Sequence, residues 1–310
     1  MTTQMKLAPD ARPFLKWAGG KTQLLNEFSA RLPAELKTGK ITRYIEPFIG
    51  GGAVFFSLSQ RFSFEHCTIC DVNNELVLVY RVIKKSAENL INELRALESG
   101  YLPKNDKERE LFYYEVRNSF NRQLPEFNFQ EYSPGWVERA AQTIFLNRTC
   151  FNGLFRVNGK GEFNVPFGRY KNPVIVNEEN LNDVAMVLNT TQIILGDFTL
   201  CRSFADDQSF VYFDPPYRPL NKTSFFTSYS KDGFSDPDQV RLAAFFRELD
   251  EKGVKIMLSN SDPGNENPQD RFLEDLYSGY SIERVPAKRM INSNGAGRGD
   301  ISELIITNYR

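Results

Sequence analysis

The uninterrupted apolar run Phe210-Val211-Tyr212-Phe213 halts at Asp214-Pro215-Pro216-Tyr217. β-Branched and aromatic residues stopped by two prolines predict a buried strand that opens at its C-terminal end into a stiff loop. Similar runs predict a strand at Arg43-Tyr44-Ile45-Glu46, ahead of the turn Gly50-Gly51-Gly52 and a helix packed by Val54, Phe55 and Phe56. They predict another at Cys67-Thr68-Ile69-Cys70, ending in Asp71, and others at residues 191–195, 254–258, 280–285 and 301–307. The last two read as a terminal hairpin whose connection, residues 286–300, carries Lys288, Arg289 and Arg298. Helical periodicity marks Leu24, Leu25 and Phe28 before Pro33, and then residues 76–97, 106–120, 136–145 and 236–251. Residues 157–165 read as a hairpin turning near Asn158-Gly159. Strands alternating with helices predict an α/β fold, interrupted where the pattern turns mainly helical, between residues 75 and 188.

That interruption sets three expected segments: 1–74 and 189–310 as two parts of one sheet domain, and 75–188 as an insert. Composition agrees with a globular chain: 310 residues, 41% hydrophobic. No apolar stretch reaches bilayer length and the first residues lack a signal-peptide core, so the expectation is a cytoplasmic protein without membrane contact. Four cysteines without further ligands nearby predict reduced, buried thiols and no metal site, and the lone His66 leaves little room for a histidine base. The net charge of −1 hides an uneven distribution. Between Arg139 and Lys171 stand Arg139, Arg148, Arg156, Lys160, Arg169 and Lys171 against Glu162, interleaved with Phe151, Phe155, Phe163, Phe167 and Tyr170. Such a stretch suits phosphate contact, with Asn152 and Arg156 able to read base edges. The alternative is a solvated charge run over an aromatic core.

Strand, glycines, helix, strand, acid is a nucleoside-binding layout, in which Asp71 takes ribose hydroxyls. It lacks the Gly-Lys-Ser/Thr of a P-loop. Gly196-Asp197-Phe198, at another strand end, suits hydrogen bonding and packing of an adenine ring. At Asp214 the chemistry becomes specific. The exocyclic amine of adenine is a weak nucleophile because its lone pair is delocalised into the ring. A carboxylate accepting one N–H and a stiff proline carbonyl accepting the other localise that pair. Tyr217 supplies a face for a base held out of the duplex. A nucleoside site without a phosphate-binding lysine motif fits S-adenosylmethionine as the donor. The polar and aromatic residues 219–230 read as a mobile cover.

Phe14-Leu15-Lys16-Trp17-Ala18-Gly19-Gly20-Lys21, Glu46-Pro47-Phe48-Ile49-Gly50-Gly51-Gly52, Gly196-Asp197-Phe198 and Asp214-Pro215-Pro216-Tyr217 together resemble the Dam-type (D12 class) DNA adenine-N6 methyltransferases. The match runs in order over nearly the whole chain. It implies a Rossmann-like S-adenosylmethionine-dependent methyltransferase sheet with an inserted, mainly helical DNA-recognition domain, acting on double-stranded DNA. It places Trp17, Lys21, Asp71 and Asp214 around the donor, with Phe48, Gly50 and Asp197 near it. Asp214, Pro215 and Tyr217 hold the target amine.

Phe151-Asn152-Gly153-Leu154-Phe155-Arg156 and residues 161–170 are similar to the segment with which GATC-specific members contact their site. By that resemblance Lys16 touches the first base pair, and Phe151 and Asn152 enter where the adenine leaves. Leu154, Arg156 and Pro166 read the outer bases, supported by Arg169. Members vary where Phe151 and Phe155 stand, often with Tyr at the former, so no polar contact is expected from either. GATC is the expected site, and a cognate restriction endonuclease is a functional partner compatible with it. The rival readings are methylation of another planar amine, in RNA adenine or protein glutamine, and a DNA-binding protein with an inactive nucleoside fold. Glutamine-modifying enzymes prefer Asn where this chain has Asp214.

Overall fold

The computed structural model describes residues 9–217, 234–288 and 300–310. The cover expected over residues 219–230 lies outside them, as do Arg289 and Arg298 of the basic connection. Two compact units emerge. One gathers Lys21–Ile49, Phe62–Val72 and the described residues from Gly196 onward; the other gathers the chain up to Gly20, Gly50–Arg61 and Asn73–Leu195.

In the first unit six strands run in the order β2-β1-β4-β5-β7-β6, from β1 (Arg43–Pro47), β2 (His66–Asp71), β4 (Ser209–Phe213), β5 (Lys255–Ser261), β6 (Ser281–Lys288) and β7 (Asp300–Thr307). β2, β1, β4 and β5 are parallel, whereas β7 is antiparallel to both β5 and β6. All five residues of β4 are buried, as a continuous apolar run in a parallel sheet requires. Helix α8 (Asp236–Glu251) is the crossover between β4 and β5. It starts at a capping box in which Ser235 and Asp238 satisfy each other's backbone N–H groups. This is the α/β sheet expected from the alternation of runs, and the Rossmann-like one that the resemblance implies. Short helices α1 (Leu25–Ala30) and α2 (Ala34–Lys37) precede it, so the helical period at Leu24, Leu25 and Phe28 stops before Pro33. Cys67, Cys70 and Cys201 are buried free thiols here.

The second unit is mainly helical: α3 (Ala53–Ser59), α4 (Asn74–Tyr101), α5 (Asp106–Gln123), α6 (Gly135–Thr149) and α7 (Glu178–Leu188), with strand β3 (Thr191–Leu195) at its end. Gly52 opens α3 at φ 74°, and a Cβ there would stand 2.7 Å from the Tyr80 hydroxyl, so no other residue fits the turn. Residues 157–165 turn back as a short hairpin: one antiparallel bridge, Val157 to Phe163, is flanked by the Asn158 N–H on the Glu162 carbonyl and the Asn164 N–H on the Arg156 carbonyl, and the Gly161 N–H on the Asn158 carbonyl closes the turn. Two expectations change. Phe155, Phe163 and Phe167 are core. Arg139, counted with the basic stretch, is fully buried, chelates the Glu75 carboxylate and lies under the rings of Phe120 and Phe127. Burying so costly a charge requires that partner, which removes it from any phosphate-facing surface. Among the described residues no helix is long and apolar enough to cross a membrane.

Candidate active site

The chain leaves β1 for β2 on one side, and β4 lies on the other, which makes the carboxyl ends of β1 and β4 the switch point where open α/β sheets bind ligands. Asp214 stands at the end of β4. Its carboxylate receives the Lys21 ammonium at 2.8 Å and the Ser259 hydroxyl at 3.3 Å. Ser259 arrives by register: β5 runs parallel to β4 with Phe213 opposite Leu258, so the next residue lies beside Asp214. Its hydroxyl also meets Tyr212 at 2.7 Å. The antiparallel return of β7 sets Glu303 opposite Ser261 at the same edge, and Glu303 approaches Lys21 at 4.0 Å. Lys21 also lies 4.6 Å from the centre of the Tyr217 ring, so one buried ammonium faces two carboxylates and an aromatic face.

The electrostatics follow from burial. Asp214 titrates above the usual carboxylate range because desolvation outweighs the pull of Lys21 and Ser259. Glu303 is raised for the same reason, with Asp214 adding to it and Lys21 and Tyr217 opposing. The Tyr217 hydroxyl is pushed far up by burial and by both carboxylates, so it stays protonated and can donate to Glu303. Tyr217 nevertheless exposes 37% of its surface, leaving ring available for a partner.

Beside this group Asp71 closes β2, and its carbonyl accepts the Gly196 N–H at 2.9 Å, so the two strand ends expected to meet a nucleoside are tied together. Asp197 accepts from the Thr199 N–H and hydroxyl and from Arg241. Burial pushes its carboxyl up, but these bonds win and hold it below the usual range. Phe48 has φ 66°, rare for a bulky side chain, and presents its ring to Phe198, Phe213 and Phe234 with centroids 5.4, 6.5 and 5.5 Å away.

Trp17 and Gly50 belong to the helical unit. The Trp17 ring stacks on Phe155, and a Cβ at Gly50, where φ is 47°, would stand 3.0 Å from Trp17 Cδ1. The proposed DNA contacts lie in the same unit, on two segments clamped by the Phe151 N–H on the Pro166 carbonyl and the Gly168 N–H on the Thr149 carbonyl. Phe151, Asn152, Arg156, Pro166 and Arg169 are exposed and Leu154 half-buried. Arg156 donates to Asn164 at 2.7 Å. Lys16 joins them through Asn147, which no sequence motif singles out. Its amide takes the Lys16 N–H and donates to the carbonyls of Lys16 and Gly153, while Lys16 Nζ lies 4.9 Å from the Tyr170 ring centre.

Among the described residues, the non-glycine residues with positive φ are Phe48, Asn152 and Arg169. Each conformation costs about 1–3 kcal/mol and persists only where its surroundings impose it, a pattern concentrated at functional sites.

Fold and site together define a Rossmann-like methyltransferase. The chain belongs to the D12 class N6 adenine-specific DNA methyltransferases, whose family profile matches residues 17–291. It is 51% identical over 301 residues to the type II methyltransferase M.MjaIII of Methanocaldococcus jannaschii, spanning 97% of this chain and 100% of that one. To the type II methyltransferase M1.LlaDCHI of Lactococcus lactis subsp. cremoris it is 43% identical, over 96% of this chain and 95% of the other. To the DNA adenine methylase of Escherichia coli K12 it is 33% identical, over 95% and 94%. It is therefore a DNA adenine-N6 methyltransferase.

Proposed function

We propose that the chain moves the methyl group of S-adenosylmethionine to N6 of an adenine turned out of duplex DNA, at GATC. What supports this reading most is the grouping of Lys21, Asp214, Tyr217 and Glu303 at the end of β4. The residues at the switch point fit the donor: an acid at the end of β2 for the ribose, aromatic faces at Phe48 and Phe198 for the purine, and an acceptor at Asp197. Lys21 and Asp214 complete the assignment, and the family resemblance adds Trp17 and Gly50. When bound, S-adenosylmethionine supplies a methyl already activated by its sulfonium.

The protein's own part is to make the amine nucleophilic. The Asp214 carboxylate accepts one amine hydrogen and the Pro215 carbonyl the other, which draws the lone pair out of the ring. Tyr217 takes a face of the base, and Lys21 keeps Asp214 ionised as an acceptor. Residues 75–188 act as the DNA-recognition insert: Lys160, Arg169 and Lys171 face phosphates, while Asn152, Leu154, Arg156 and Pro166 face bases. Phe151 fills the space left by the adenine, and Lys16 contacts the first base pair. The type II names of two relatives favour a protective role beside a cognate restriction endonuclease.

Labelled S-adenosylmethionine, incubated with plasmids that contain or lack GATC, tests the reading. Label should enter the first only. Equal label in both rejects the specificity, and no label in any DNA rejects the activity.

A further inference from the structure

The Asp214-Pro215-Pro216-Tyr217 loop has a mechanical difficulty. Neither proline has an N–H, so the loop cannot be pinned by its own donors at the point where it must be most rigid. The structure answers it with two side chains outside the site described so far. Gln239, in the first turns of α8, and Asn260, on β5, are both fully buried. Gln239 Nε2 donates to the Pro216 carbonyl at 3.4 Å, its Oε1 accepts from Asn260 Nδ2 at 3.2 Å, and Asn260 Oδ1 accepts the Ser261 N–H at 2.8 Å.

This relay has one possible polarity. It starts at a backbone N–H, which can only donate, and ends at a backbone carbonyl, which can only accept. Turning either amide over would oppose like groups in a buried place, where an unmet polar atom is costly. The carbonyl it holds belongs to the peptide plane joining Pro216 to Tyr217. Since the proline ring already fixes φ, holding that carbonyl fixes ψ, the remaining torsion that sets where Tyr217 begins.

We propose that Gln239, backed by Asn260, is a positioning residue that aims the Tyr217 ring and the adjoining Pro215 carbonyl at the target base. The proposal rests on reading the Asp214 to Tyr217 loop as the base site. It accounts for two fully buried amides spanning from β5 to the loop, where apolar side chains would have filled the same volume without regard to direction.

Two variants separate positioning from mere packing. Gln239→Met keeps shape and burial but cannot donate. It should lower kcat about 10- to 100-fold, as a loss of alignment does. Affinity for a GATC duplex and KM for S-adenosylmethionine should stay within about twofold, with cooperative melting retained. Emission from 2-aminopurine placed at the target adenine should change at equal affinity. Gln239→Glu presents a carboxylate to the Pro216 carbonyl at neutral pH. Protonation restores a donor, so its activity relative to wild type should rise as pH falls. Wild-type kcat and emission in Gln239→Met overturn the proposal. So does a relative activity of Gln239→Glu that does not respond to pH. If the wild-type protein transfers no methyl to DNA, the reading of the loop fails instead, a result visible before either variant is made.

Discussion

The Lys21 ammonium lies 2.8 Å from the Asp214 carboxylate, with the two side chains only 5% and 19% exposed. Burial pushes the Asp214 carboxyl towards its protonated form, in which it could not accept; the neighbouring cation opposes that. The pair therefore sets the pH range in which the site works. Asp214 is raised above its ordinary value, and activity needs the ionised form, so kcat/KM should fall as pH drops through that raised value. Lys21→Met removes the main opposing influence and should carry the acid limb to higher pH, while Lys21→Arg restores part of it. A pH–rate profile with the limb unmoved in Lys21→Met would detach Lys21 from Asp214.

Tyr217 contributes a ring and a hydroxyl, which substitution can separate. Stacking on a base is worth about 1–3 kcal/mol when a ring is replaced by alanine. Tyr217→Ala should therefore lower kcat/KM by that amount, and Tyr217→Phe by much less, because Glu303 loses one donor but keeps Lys21 nearby. Equal losses in the two variants would put the function in the hydroxyl.

Arg139 is inside the helical unit, paired with Glu75. Breaking a buried pair by removing one partner costs about 3–5 kcal/mol, whereas replacing both by apolar residues is often far milder. Arg139→Met should lower stability by about that amount in denaturant unfolding, and adding Glu75→Leu should recover much of it. The salt dependence of DNA binding should not change, in contrast to Lys160→Ala, which should reduce the slope by about 1. A reduced slope in Arg139→Met would return that residue to the DNA surface.

Arg156 is exposed and oriented by Asn164. Arg156→Ala should weaken discrimination at one base of the site by about 1–3 kcal/mol, measured as the ratio of kcat/KM between GATC and its single-base variants. An unchanged ratio at every base would reduce Arg156 to a backbone contact.

The sequence carried much of the fold because burial writes itself locally. The run from Phe210 to Phe213 is apolar because both faces of β4 are covered, and the two prolines show where pairing ends. Helix α7 lies outside the stretches marked by helical periodicity, although Asn177 before Glu178 and Glu179 is an ordinary start signal. The site was legible where its chemistry sits in one tetrapeptide, and illegible where register assembles it. Ser259 and Glu303 reach Asp214 only because β5 runs parallel to β4 and β7 returns antiparallel, and no spacing encodes that. Asn147 carries no such signal, being one of several buried polar residues of α6 beside Arg139, Gln142 and Thr143. The basic stretch misled in part: charge counts cannot tell Arg139, neutralised by a partner 64 positions away, from Arg156 at the surface.

Where the methyl group arrives is the most direct test of the mechanism. A duplex with a single GATC, incubated with S-adenosylmethionine and digested to nucleosides, should yield N6-methyladenine from the central adenine with the wild-type protein. Asp214→Ala should yield at least about 100-fold less while binding the duplex with similar affinity. Methyl found on any other atom, or transfer by Asp214→Ala at the wild-type rate, would contradict it.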